Sequence, residues 1–169
     1  MIDLGQSGTG ITIKSSSELE SMREAGRIVG LVLRKLRNTL EPGIRTLELD
    51  EIAEKEIRSR GAIPAFKGYR GFPGTLCVSV NEEIVHGIPG SRVIADGDVI
   101  GLDLGAIVDG LYGDSAITVA VGEQNVATLD QIETGRAALF AGIEQVRSGN
   151  RIGDISNAIE NEICKRGNF

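Results

Sequence analysis

The sequence predicts an α/β composition of the α+β kind, with helices and an antiparallel sheet segregated along the chain rather than alternating. Three observations carry this. Capped stretches with helical apolar periodicity open the chain, short β-type runs punctuated by Gly, Pro, Asn and Asp fill its middle, and a second helical pair follows. The expected order is two helices, a sheet block, then two helices.

The first helix is expected in SSSELESMREAGRIVGLVLRKLRNTL, with Ser17 as N-cap, Glu20 three residues on, and EPG as the stop. The second lies in TLELDEIAEKEIRSRG, with Thr46 as cap, Leu47, Ile52 and Ile57 among its buried positions, and Gly61 as terminator. Between 64 and 121 the runs LCVSV, RVIA, DVIGLDLGAIV and SAITVAV are expected strands. From Thr128 the helical pattern returns in TLDQIETGRAALFAGIEQVRSG and IGDISNAIENEICKRG.

The second helical pair looks like a copy of the first. Gly43, Arg45, Arg60 and Gly61 align with Gly149, Arg151, Arg166 and Gly167 at a constant offset, and AGRIVGLVLRKLR matches TGRAALFAGIEQVR. Amphipathic helices resemble one another in general, but matched Gly and Arg positions at the turns favour duplication. Copied strands should then begin where the chain ends at Phe169, so half of a two-fold repeat is expected to be missing. Residues 1–14 are expected to form a variable lead, and 15–169 one partial domain.

Composition narrows the function. With 169 residues and 41% hydrophobic positions the chain suits one globular domain or two small lobes. A net charge of -6 and no Lys/Arg run argue against nucleic acid and anionic membrane partners, leaving small or peptidic ones. Cys77 and Cys164 lie far apart without CxxC spacing, against a disulfide framework or a structural zinc module, and a reducing cytoplasm fits. No stretch approaches a membrane span or a secretion signal, so a soluble, unexported protein is expected.

The chemistry concentrates in GLDLGAIVDGLYGD. VDGL is a two-residue hairpin signal between apolar runs. If Val108 faces Leu111, then Gly105 faces Asp114 and Asp103 faces Ala116, which sets both aspartates on one face as diagonal neighbours roughly 7 Å apart. Ile100, Leu102, Leu104, Ile117 and Val119 take the other, core-facing side, while Gly101, Gly105, Ala116 and Thr118 leave space beside the carboxylates. A bulge at Gly113 would shift this register. Two carboxylates so placed repel unless a cation, a proton or water separates them, and hard oxygen donors on rigid strands suit divalent metal. The bland alternative has Asp114 capping a turn and Asp103 exposed at an edge; the apolar flanks favour metal.

The sole histidine, His86, lies in SVNEEIVHGIPG between an aromatic segment and the hairpin. Such a residue is either surface decoration or, beside a metal, a donor to a substrate carbonyl. Phe66, Tyr69 and Phe72 cluster in a Gly/Pro loop, where they either wall an apolar pocket or pack onto the sheet. Cys77 is either part of that wall or a small buried hydrophobe.

AFKGYRGFPGTLCVSVNEEIVHGIPG followed by GDVIGLDLGAIVDGLYGDSAIT resembles methionine aminopeptidase of the bacterial type I class, over nearly everything from Glu18 to Phe169. The resemblance implies the pita-bread fold, whose two pseudo-symmetric halves enclose a dinuclear metal site, here in incomplete form. It implies Asp103 and Asp114 as metal ligands, the second bridging both ions, and His86 as the catalytic contact to the scissile peptide. It further implies that Phe66, Tyr69, Phe72 and Cys77 line the methionine pocket together with His86. The cofactors implied are two divalent ions, Mn, Fe, Co or Zn, and the partners are peptide or nascent-protein N-termini. The family's remaining ligands, a histidine and two glutamates, have no counterpart here, so ancestry and activity of the 169-residue chain are separate questions. The alternatives are an inactive module that binds peptide N-termini and a proline-directed aminopeptidase on the same fold. Uncovered strand edges would favour self-association.

Overall fold

The structure, a computed structural model, describes residues 12–167. Two compact units divide the chain, one running to Gly122 and the other starting at Glu123. The expected lead over 1–14 falls outside the described residues except for its last three.

Helix α1 (Ser16–Thr39) begins earlier than the Ser17 cap anticipates. SSSELE contains two overlapping Ser-x-x-Glu frames, and the first one closes. The Glu18 amide donates to Ser15 Oγ at 3.3 Å, and the Ser15 amide donates to the Glu18 carboxylate at 2.7 Å. Glu20, left over from the second frame, pairs with Arg23 instead. Ala25, Ile28, Val29, Val32, Leu33 and Leu36 form the buried stripe. The helix stops at Leu40, which is extended at φ -68 and ψ 115, two residues before Pro42.

Helix α2 (Thr46–Ser59) is capped by Arg45, not Thr46. Glu48 accepts from the Arg45 amide at 2.8 Å, while the Thr46 hydroxyl donates to the Gly90 carbonyl and accepts from its amide, tying the helix start to a distant loop. The buried stripe is Leu49, Asp50, Ala53 and Ile57; Leu47, expected inside, is 42% exposed because the stripe runs out of phase with it. Gly61, at φ +74, ends the helix as anticipated.

The sheet contains β1 (Ile63–Pro64), β2 (Leu76–Val80), β3 (Val99–Val108) and β4 (Leu111–Ala120). All pairings are antiparallel to β3: β4 along one edge, β2 and then β1 along the other. RVIA does not join it. Gly43 N donates to Ile94 O, Ile94 N to Ile44 O and Thr46 N to Arg92 O, so the α1–α2 connection uses up its hydrogen-bonding groups and only the bridge Arg45↔Val93 remains. Ile100, Leu102 and Leu104 of β3 are fully buried, in one core with Leu76, Val78 and Val80 and the apolar stripes of α1 and α2. Each such burial is worth about 1.5–3 kcal/mol.

In the second unit, α3 (Val126–Glu144) starts slightly before Thr128, with Asn125 Oδ1 accepting from the Thr128 amide at 2.8 Å. Helix α4 (Ile152–Arg166) packs on it so closely that a Cβ at Gly142 would lie 2.8 Å from the Ile159 side chain. The two helical pairs share construction. Arg45 and Arg151 are both N-caps with an acid three residues on reaching back to their amides, and Gly43 and Gly149 have φ +99 and +96. Ala25, Val29 and Leu33 are buried in α1 as Thr134, Ala138 and Gly142 are in α3. Gly167 departs from the pattern, being extended where Gly61 is left-handed. Among the described residues no helix is long and apolar enough to cross a membrane.

Candidate metal and peptide site

The hairpin turn builds the site. Asp109 and Gly110 both have positive φ, +50 and +78, the turn whose twist matches its flanking strands. Val108 therefore pairs with Leu111, Gly105 with Asp114 and Asp103 with Ala116, and Ala106 opposite Gly113 leaves no bulge. Both carboxylates stand on the face away from the core. Strand β2 adds Cys77 opposite Asp103 and Ser79 opposite Gly101. Spacing alone does not place Cys77 there, because a long connection separates β2 from β3.

Asp103 is half-buried and Asp114 exposed. Burial first, then the charge of Asp114 and a hydrogen bond with it, holds the Asp103 carboxyl above the usual carboxylate range; His86 opposes this. Burial, followed by the charges of Asp103, Asp114 and Asp50, pushes the Cys77 thiol up to about 11. Two carboxylates in contact, with no lysine or arginine among the described residues acting on Asp103, form a donor pair that a divalent cation would relieve. The donors fit such an ion in kind. Among the described residues no group of three or more His, Cys, Asp or Glu gathers as a metal cage, so water or further ligands would complete the coordination.

Phe66 is half-buried over the carboxylates' strand. A Cβ at Gly105 would lie 2.9 Å from Phe66 Cε1 and 2.9 Å from Ala65 Cβ, so glycine is what lets the ring approach beside Asp114's partner position. Phe72 is half-buried and closes the aromatic loop, its carbonyl accepting from Gly68 N at 2.8 Å. Tyr69 is 64% exposed, with the Arg70 guanidinium over its ring. His86 is exposed and left-handed at φ +60, and it is the one group among the described residues that opposes the rise of the Asp103 carboxyl.

One residue was not anticipated. Asp50, on the buried stripe of α2, accepts from Thr75 N at 2.7 Å and Leu76 N at 2.8 Å and so anchors the start of β2. Its signal is a carboxylate in phase with Leu49 and Ala53. A concavity between α3 and α4 is lined mostly by polar groups such as Glu144, Asn157, Asn161 and Lys165, with Ala141 and Ala158 its apolar members.

Residues 20–169 match the sequence profile of metallopeptidase family M24. The chain belongs to that family. It is 51% identical over 150 residues to methionine aminopeptidase 1 of Bacillus subtilis, covering 89% of this chain and 60% of the relative. Its structure is similar to that of methionine aminopeptidase from Rickettsia prowazekii, with a TM-score of 0.89 at 34% identity over 92% of this chain and 62% of that one. Similarity to Xaa-Pro dipeptidase from Bacillus anthracis, TM-score 0.80 at 23% identity over 92% of this chain and 42% of that one, shows the fold alone. The chain thus spans about 60% of the length of curated relatives it matches.

Proposed function

We propose that this chain forms part of a divalent-metal-dependent aminopeptidase that removes N-terminal methionine from peptides and nascent proteins. The observation that carries it is the pairing of Asp103 and Asp114 on one sheet face, with Cys77 across from Asp103 and Phe66 against Gly105. Asp103 and Asp114 would hold two ions, Mn, Fe, Co or Zn. Bound ions supply Lewis-acid polarisation and a lowered pKa for the attacking water. The chain's own residues do the rest: His86 donates to the scissile carbonyl, while Phe66, Phe72, Tyr69 and Cys77 receive the methionine side chain. A cytoplasmic setting belongs to the same proposal.

The test is free methionine released from a Met-Ala-Ser peptide with Mn²⁺ or Co²⁺, with Asp114→Asn as control. Turnover abolished by the substitution supports the reading, and equal turnover in both proteins refutes the metal role. The half-buried Phe66 and Phe72 of the aromatic loop also fit a second reading, an inactive module that binds peptide N-termini. Peptide affinity that survives chelation and Asp114→Asn would distinguish it. Preference for Xaa-Pro peptides in a substrate panel would instead mark a proline-directed enzyme.

A further inference from the structure

We infer that Glu83 and Ser79 are positioning residues for His86, clamping the His86–Gly87 segment onto the outer edge of β2; the inference rests on the peptidase reading of His86 above. Among the described residues strand β2 pairs with β3 along one edge only. Along the other, the chain that follows the strand turns back and takes the hydrogen bonds that a neighbouring strand would take. Val78 N donates to Gly87 O at 2.9 Å, and Val80 N donates to Glu83 Oε2 at 2.9 Å. These are alternate amides of one strand, satisfied first by a main-chain carbonyl and then by a carboxylate. Ser79 Oγ accepts from Gly87 N at 3.2 Å, and Arg92 lies 3.4 Å from the second oxygen of Glu83.

The fit leaves no room for a side chain at the contact. A Cβ at Gly87 would lie 2.1 Å from Val78 O and 2.9 Å from Glu83 Oε2. The other end of the loop is tied as well: Asn81 N donates to Val99 O, and Asn81 Oδ1 accepts from Val99 N, both at 2.9 Å. Between these ties His86 holds φ +60, a region uncommon for residues with a Cβ. Its ring is exposed, so the direction it takes is set by the clamped backbone rather than by packing. Without the Glu83 carboxylate Val80 N loses its acceptor, the loop detaches, and His86 relaxes away from Asp103.

His86 is the only histidine in the chain, so its imidazole resonances report this position without assignment. The experiment records them in the metal-free full chain, with and without Asp103→Asn, in four backgrounds: native, Glu83→Ala, Glu83→Gln and Ser79→Ala. In the native protein Asp103→Asn should shift the resonances. In Glu83→Ala they should move to free-histidine positions and stop responding to Asp103→Asn, while the thermal transition stays cooperative. Glu83→Gln, which keeps an oxygen for Val80 N, should restore both properties. Native-like resonances and response in Glu83→Ala would overturn the inference. If that variant fails to fold, Ser79→Ala decides in the same way, by loss of the Asp103 response or by its persistence. With neither metal nor peptide in the sample, an absence of methionine release elsewhere would count against the peptidase reading and leave this result standing.

Discussion

Asp50→Ala tests whether one buried carboxylate holds the start of the strand that carries Cys77. Asp50 is 6% exposed, and its Oδ1 accepts from two buried amides, Thr75 N at 2.7 Å and Leu76 N at 2.8 Å. Alanine strands both donors. A buried donor left unsatisfied costs about 1–3 kcal/mol, so the pair costs about 2–6 kcal/mol before relaxation. Water entering the vacated space, and relief of the buried charge, offset part of this, so about 3 kcal/mol is expected. That is a large share of a total stability of about 5–15 kcal/mol and lowers Tm by roughly 6–12 °C. Asp50→Asn keeps an acceptor oxygen and should lose about 1 kcal/mol, the net worth of one ordinary hydrogen bond. Urea unfolding of the three proteins measures the differences as midpoint shifts at constant slope. A Cm for Asp50→Ala indistinguishable from native, or a larger loss for Asn than for Ala, would refute the reasoning.

Other outcomes follow from the carboxylate face. The Asp103 carboxyl is raised by burial and by Asp114, so the folded state binds its proton more tightly than the unfolded chain. In metal-free protein this contribution therefore falls as pH rises from the unfolded value toward the folded one, and stays lost above it. Asp103→Asn should accordingly raise Tm at neutral pH in chelator and abolish any Tm gain on adding Mn²⁺; a lower Tm in chelator would contradict the sign. Thiol titration should find Cys164, which is exposed, modified well before Cys77, which is buried with its thiol pushed up to about 11, and equal rates would argue against the placement of Cys77. Among the described residues no strand pairs with the outer edge of β4, so sedimentation should reveal species larger than the 17.9 kDa chain, reduced by Thr118→Lys; a monomer at all concentrations would refute self-association.

Much of the candidate site's geometry was legible because it depends on local rules. An Asp-Gly turn sets a hairpin's register, and the register sets which residues share a face, so the side-by-side aspartates follow from a short stretch of chain. The matched turn glycines Gly43 and Gly149 and the caps Arg45 and Arg151 were likewise readable, since N-caps and left-handed turns leave residue-type signatures, whereas Gly167 does not repeat Gly61. Where several frames satisfy one local rule, sequence could not choose: Ser15 and Ser17 both begin a capping box. RVIA has strand composition, and only its contact with the α1–α2 connection keeps it out of the sheet.

The sequence by itself therefore determined the class of fold, the order of its helices around the sheet block, and the pair of carboxylates on one face, because turn chemistry and periodicity act over a few residues. Tertiary structure alone decided that Cys77 faces Asp103, that Phe66 covers Gly105, that Asp50 anchors β2 and that Glu83 closes its outer edge. Those contacts join segments that approach only once a shared core has formed, and their geometry is set by packing that no local pattern encodes.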